Sequence, residues 1–390
     1  MAKLIDITGK AISGAWGTDD LVGNGVPVLR TTNFTNIGIV NFNNVVTRQI
    51  EKKYISEKLL RYGDIIIEKS GGSDKQPVGR VVFFEGEDNK YLFNNFTSLL
   101  RVRDFFKWNP KYIFYSLFAN YAKGGTIPFE NRTTGLHNLQ TDSYVNSVMI
   151  MERKFEEQTD IVRILDKINQ LINYEKKQLE DLDILVKSRF IEMFGDPVIN
   201  SKGWITKRLP ELGTLSRGMS KHRPRNAPEL LGGSYPLIQT GDVANANGYI
   251  REYTSTYSEL GFRQSKMWPK GTLCITIAAN IAKTAILEFA SCFPDSIVGF
   301  NAYGDDVTNE YIHHWFTFVQ RIIEEQAPES AQKNINMKIL SDLKVMVPDK
   351  NIQYEYVDFL KQVDKSKLAI QQSLDELETL KKSLMQQYFG

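Results

Sequence analysis

The sequence predicts an α+β protein assembled twice over, with two globular mixed domains and two long helices paired as a coiled coil. Three observations point there. The chain repeats itself at a fixed offset of 195 residues. Two stretches of about forty residues carry apolar side chains at alternating spacings of four and three. The blocks between them hold short β-rich runs broken by Gly, Asn and Asp turns, with one aromatic helical stretch each.

The repeat is sharpest in the helical stretches. Residues 178–195, QLEDLDILVKSRFIEMFG, align without gaps on 373–390, SLDELETLKKSLMQQYFG. The pairs Leu179/Leu374, Leu182/Leu377, Leu185/Leu380, Lys187/Lys382, Ser188/Ser383, Phe194/Phe389 and Gly195/Gly390 are identical, and the same offset sets Gln158 on Gln353 and Leu165 on Leu360. The predicted seam of the first helix runs through Ile161, Leu165, Ile168, Ile172, Leu179 and Leu182, with Glu175 interrupting the row. That of the second runs through Leu360, Val363, Ile370, Leu374, Leu377 and Leu384, interrupted by Lys367 and Lys381. No proline lies between 155 and 194, and Pro197 follows Gly195 as a stop signal. A single amphipathic helix cannot bury its own stripe, so the second, equivalent helix is its natural partner.

Upstream the copies diverge. VPVLRTTNF (26–34) aligns with YPLIQTGDV (235–243), YGDIIIEKS (62–70) with KGTLCITIA (270–278), and GRVVFFE (79–85) with AKTAILE (282–288). The aromatic stretches are NPKYIFYSLFANYA (109–122) and NEYIHHWFTFVQRII (309–323); Tyr112, Phe114, Tyr115, Phe118 and Tyr121 read as the core face of a helix. The expected divisions are a domain at 1–152, a helix at 153–195, a domain at 196–347 and a helix at 348–390.

Composition narrows the function classes. With 42% apolar and 11% aromatic residues the chain can bury real cores. There is no run of eighteen apolar residues and no apolar signal region in MAKLIDITGK, so no membrane association and a cytoplasmic location are expected. Cys274 and Cys292 are too few and too far apart for a disulfide framework or a zinc site and are expected as reduced core residues. His137, His222, His313 and His314 form no metal-ligand pattern, and no metal is expected. No two prolines are adjacent, which removes the Pro-Pro turn of a DNA-adenine methyltransferase, and no phosphate-cradling GxxxxGK[ST] occurs. No catalytic residue is therefore assigned. The net charge of +2 is no nucleic-acid footprint in itself, so any DNA contact must come from a local patch.

A variable domain, a long helix, a second variable domain and a second helix resemble the DNA-specificity subunit of type I restriction-modification systems. The most specific elements are EEQTDIVRILDKI (156–168), the helix ends KSRFIEMFG and KKSLMQQYFG, and LSRGMSKHRPRN (215–226). The resemblance implies an internal pseudo-two-fold repeat, antiparallel helices that set a spacer, and two target-recognition domains each reading one half of a bipartite, asymmetric site in double-stranded DNA. It further implies two docked modification subunits, adenine methyltransferases that carry S-adenosylmethionine, joined by restriction-translocase subunits. This chain would then be a non-catalytic specificity subunit that binds no cofactor, acting in DNA methylation and defence against foreign DNA. The alternative is a two-domain coiled-coil scaffold that binds protein and reads no DNA.

The candidate DNA-binding residues follow from loops and basic side chains. Between Leu212 and Pro228 there is no acidic residue, while Arg217, Lys221, His222, Arg223 and Arg225 fall within nine positions; such a loop can neutralise phosphates, and an arginine can pair bidentately with guanine. In the first domain the candidates are Lys69, Lys75, Gln76 and Arg80 around Gly71-Gly72. Arg30 and Asn33, with Gln239 at the position matching Arg30, close a strand at equivalent places. Arg132 and Lys333 belong to a further, roughly aligned loop pair.

Overall fold

The computed structural model describes residues 1–51, 55–133, 136–278, 280–325 and 335–390, with the backbone alone at 132, 133 and 136. The chain divides into two compact units, residues 1–176 with 372–390, and residues 177–371. Compactness thus cuts each long helix in the middle rather than at its ends.

In the first unit an antiparallel sheet runs Ile12–Ser13, Thr97–Leu100, Ile65–Glu68, Val81–Phe83. Strand side chains alternate between faces, and both faces of this sheet are buried. Ile65, Ile67, Val81, Phe83 and Leu100 meet the helix Pro110–Ala122. Ile66, Val82 and Leu99 pack the other way, against Leu29, Phe34 and Phe93. The second layer is the sheet Thr18–Asp19, Val46–Gln49, Val26–Leu29, Leu92–Phe93, with the last pair parallel. The helix starts where Asn109 caps it, its side chain accepting from the Lys111 N–H at 2.9 Å with Pro110 next.

The second unit repeats this order. Gly213–Arg217, Ile297–Ala302, Leu273–Thr276 and Thr284–Leu287 are antiparallel neighbours, extended by Tyr249–Ile250. Leu273, Ile275 and Ile286 face the helix Asn309–Glu325, whereas Cys274, Ala285 and Leu287 face the other layer. Cross-strand pairing of Ile66 with Val82 and of Cys274 with Ala285 matches the alignment of the two halves. Both cysteines are buried and unbridged, and burial pushes both thiols up.

The long helices are Phe155–Phe194 and Lys350–Phe389, forty residues each, a length of about 60 Å. Gly195, at φ 80°, ends the first in the left-handed conformation that a Cβ disfavours. Within each unit the two helical segments run antiparallel. In the first, Lys176 pairs with Glu378 at 2.9 Å and Ser373 donates to Glu175 at 3.1 Å. In the second, Lys367 pairs with Asp183 and the Tyr356 hydroxyl donates to the Val186 carbonyl at 3.4 Å. The seam positions Ile161, Leu165, Ile168, Ile172, Leu360, Val363 and Leu374 are buried, and Leu179, Leu182, Ile370, Leu377 and Leu384 half-buried. The seam breakers Glu175 and Lys367 are therefore held by polar partners across the pair.

The duplicated Phe-Gly ends have a packing reason. Phe389 joins the first core and lies 5.4 Å from the Tyr112 ring; Phe194 joins the second and lies 4.9 Å from Tyr311. Each unit is completed by the C-terminal end of a long helix, so both ends need the same large side chain.

Burial in the second unit lowers the pKa of two neighbouring histidines, His313 and His314. His313, on the core side of its helix, has its Nδ1 2.8 Å from the Thr284 hydroxyl, and burial lowers its pKa from 6.5 to about 4. Between those values the unfolded chain carries a proton that the folded unit does not. Stability is accordingly full above about pH 6.5 and falls towards pH 4, by about 3 kcal/mol for this one group. Unfolding midpoints in urea across this range should fall more steeply for the native chain than for His313→Asn. Parallel profiles would contradict the assignment.

Among the described residues no helix is long and apolar enough to cross a membrane, and no three His, Cys, Asp or Glu side chains form a group that could hold a metal ion.

Candidate nucleic-acid interface

The basic loop of the second unit leaves Gly213–Arg217, the edge strand of its sheet, and residues 221–226 are exposed. Gly218 is needed at the turn because a Cβ there would lie 2.3 Å from the Phe293 carbonyl oxygen. Main-chain bonds from Gly218 to Ile297 (2.8 Å) and from Met219 to Phe293 (3.1 Å), with His222 N–H donating to the Gln264 side chain at 2.7 Å, pin the loop to the fold.

Tertiary structure supplies the acid that the local sequence lacks. Asp295, from the turn at Pro294, accepts from Arg223 Nη2 at 3.2 Å through one oxygen and pairs with Arg225 through the other. Arg223 also donates Nη1 to the carbonyls of Ser220 (2.6 Å) and His222 (2.8 Å). These contacts orient both guanidiniums and reduce the charge they present. Arg217 and Lys221 are exposed and have no carboxylate partner among the described residues, and the His222 ring stays exposed. Four cations against one carboxylate leave the loop strongly positive.

In the first unit most of the nominated side chains work inside the fold. Arg80 donates to both oxygens of buried Glu68, at 2.8 and 3.0 Å, and to the Thr31 carbonyl at 3.4 Å. Asn33, 2% exposed, accepts from the Arg30 N–H at 2.9 Å and commits both amide hydrogens to the carbonyls of Asn41 and Asn43. Lys69 reaches the Ser13 hydroxyl at 3.1 Å, and Gln76 lies near Asn36 and Arg80. Lys75 is exposed at the tip of the turn that Ser73 and Gln76 close. Gly72 is required there, since a Cβ would sit 2.6 Å from the Val78 nitrogen. The side chain of Arg132 and all of Lys333 lie outside the described residues.

Arg30 and Gln239 do occupy one structural position. Each follows a central strand and precedes a helical turn, and its N–H is accepted by the side chain three residues on: Asn33 at 2.9 Å, Asp242 at 2.8 Å. The frame is equal and the outward side chains differ. Gln239 is exposed; Arg30 is half-buried and donates to the Asn44 carbonyl at 3.2 Å.

Two aromatic–cation contacts add polar surface that residue spacing did not reveal. The Arg48 guanidinium lies 3.9 Å over the Trp16 ring while pairing with Asp19, and the Lys266 amine lies 4.0 Å over Trp268. Pairing of the strands Thr18–Asp19 and Val46–Gln49 brings Arg48 to Trp16 and Asp19, whereas Lys266 and Trp268 are two positions apart in the chain. The long helices expose leucines at equivalent places, Leu185 (47%) and Leu380 (48%), and Leu185 continues a heptad row with the exposed Ile164 and Leu171.

Comparison with known proteins agrees with this architecture. Residues 201–379 match the family described as the type I restriction modification DNA specificity domain. The chain is 21% identical over 378 residues to a putative type I restriction enzyme MjaX specificity subunit of Methanocaldococcus jannaschii, covering 94% of this chain and 86% of that one. Its fold is similar to the crystal structure of a type I restriction-modification S subunit from M. genitalium, with TM-score 0.62, 14% identity, and coverage of 100% and 95% of the two chains. It is also similar to a chain solved in work on complex assembly and conformational transition of the type I R-M system, with TM-score 0.59, 14% identity, and coverage of 100% and 96%. Residues 201–379 thus match the type I restriction modification DNA specificity domain, and over nearly its whole length the chain is similar to a type I specificity subunit and shares the fold of a solved one.

Proposed function

We propose that each globular domain reads one half of a bipartite, asymmetric site in double-stranded DNA. The paired helices set the spacer and dock two modification subunits, one on each half. The methyl donor, S-adenosylmethionine, and the chemistry belong to those subunits and to the restriction-translocase subunits that join them; this chain contributes no catalytic group.

The observation that carries this reading is a duplicated frame with unequal outward side chains. Sheet order, capping geometry and the buried glutamines Gln158 and Gln353 repeat, whereas Arg30 stands where the other copy has Gln239. Two different half-sites demand that combination, because phosphate and frame contacts are shared while base contacts specify. The matching exposed leucines Leu185 and Leu380 support two equivalent docking surfaces.

Within the basic loop, Arg217 and Lys221 are the free phosphate ligands, and Arg223 and Arg225 are pre-oriented by Asp295. In the complex reconstituted with its modification subunits, Lys221→Ala should weaken binding equally for all sequences. The log–log salt slope should fall by about 0.9 for the lost phosphate contact. Gln239→Ala should instead change the preference at one base position. A flat salt response in the native complex, with both variants unchanged, would point to the protein-scaffold alternative.

A further inference from the structure

The two units differ at one internal place that the repeat makes comparable. The Tyr112 hydroxyl donates to the Met151 carbonyl at 2.9 Å, and the Tyr311 hydroxyl to the Met346 carbonyl at 3.1 Å. The short helices therefore superpose at an offset of 199 and the long ones at 195. On that basis Phe318 of the second unit stands where the first has Ala119, Phe190 where it has Met385, and Val186 where it has Lys381. In the second unit Phe190 and Phe318 stack at 4.8 Å and fill the space. In the first unit the smaller side chains leave a cavity of about 400 Å³.

Its walls combine an apolar floor with a cationic rim. Ile39, Phe118, Ala119, Ile172 and Met385 form the floor. Of the rim residues, Lys176 is paired with Glu378, and Lys123 donates to the Phe389 carbonyl at 2.8 Å. Lys381 is half-buried, lies 5.8 Å over the Phe118 ring, and makes no hydrogen bond or ion pair to a described residue. Burial, and to a lesser degree the nearby Lys176, lower its pKa against the opposing pull of Glu378, whose carboxylate is paired with Lys176. An unpaired, partly desolvated cation over an apolar cavity is costly unless something anionic completes it. The volume falls in the range of small-ligand pockets, which run from about 300 to 1,000 Å³.

We propose that this cavity is a binding site for a small amphiphilic anion, an acyl or aryl chain bearing one carboxylate or sulfonate. The apolar body lies between Phe118, Ile172 and Met385, and the anionic group pairs with Lys381. Among the described residues the second unit has no such site, because Phe318 and Phe190 occupy the body's place and Val186 stands where Lys381 does. The inference is independent of DNA reading and of partner docking.

The test uses the full chain with anilinonaphthalene sulfonate as fluorescent probe and decanoate as competitor. The native chain should bind the probe saturably at one site and release it to decanoate. Ala119→Phe, which inserts the side chain that fills the second unit, should abolish that site while leaving the circular dichroism spectrum unchanged. Lys381→Val should weaken decanoate binding by about tenfold or more, the expected loss of a charge-assisted contact. It keeps the test independent should Ala119→Phe fail to fold. Three results would overturn the proposal: no saturable binding, retention of the site in Ala119→Phe, or undiminished affinity in Lys381→Val.

Discussion

Replacing Gln353 with alanine is expected to cost the second unit about 3 kcal/mol or more, because three main-chain groups would lose their buried partner at once. Gln353 is fully buried. Its Oε1 accepts from the Thr308 N–H at 3.1 Å, and its Nε2 donates to the carbonyls of Asp306 (2.7 Å) and Pro348 (3.0 Å). These groups lie at the start of the helix Asn309–Glu325 and just ahead of the second long helix. Alanine would leave each without water and without a protein partner. Gln158 is wired identically, accepting from the Asn109 N–H at 2.9 Å and donating to Lys107 (3.0 Å) and Arg153 (2.9 Å). Gln158→Ala should therefore destabilise the first unit by a similar amount. The glutamine ties each globular domain to the start of its long helix; if the helices set the spacer as proposed, these variants should also blur the spacer preference of any surviving complex. Urea unfolding would measure the loss; a change below about 1 kcal/mol would show that water substitutes for the amide.

Arg80→Ala is expected to destabilise the first unit by about 3 kcal/mol, whether or not DNA is present. The Glu68 side chain is 3% exposed and that of Arg80 17%, with two bonds of 2.8 and 3.0 Å between them. Removing one member strands the other as a buried charge, a loss of about 3–5 kcal/mol in buried pairs, with the lower end fitting a partly accessible guanidinium. Adding Glu68→Gln to Arg80→Ala should recover part of the loss, because it removes the stranded charge. Thermal unfolding of the single and double variants decides the matter. A stable Arg80→Ala chain that had lost DNA binding would return Arg80 to the interface.

The sequence alone determined the features that depend on neighbours along the chain. Helix limits, the coiled-coil seam and the forty-residue length follow from apolar spacing, and the duplication follows from matching registers. The alignment of YGDIIIEKS with KGTLCITIA placed Ile66 and Cys274 at one structural position, since strand side chains alternate faces with a period of two. Both residues face the second layer of their unit. The aromatic row from Tyr112 to Tyr121 is packed at the helix–sheet layer for the same local reason, with Phe118 left to line the cavity.

Only the tertiary structure decided how polar groups are spent. The basic loop after Arg217 reads as acid-free, yet Asp295 arrives from seventy positions away to hold Arg225. Arg80 and Asn33 look like free donors in the sequence, but the former meets Glu68 across a strand pair and the latter a loop carbonyl cluster. The cavity beside Lys381 exists because Ala119 and Met385, on helices far apart in sequence, both happen to be small or flexible. Periodicity along the chain reports which side of an element meets the core. Hydrogen-bond capacity and unfilled volume are set by what the fold brings opposite, and that is where the candidate DNA contacts were sorted into structural and available groups.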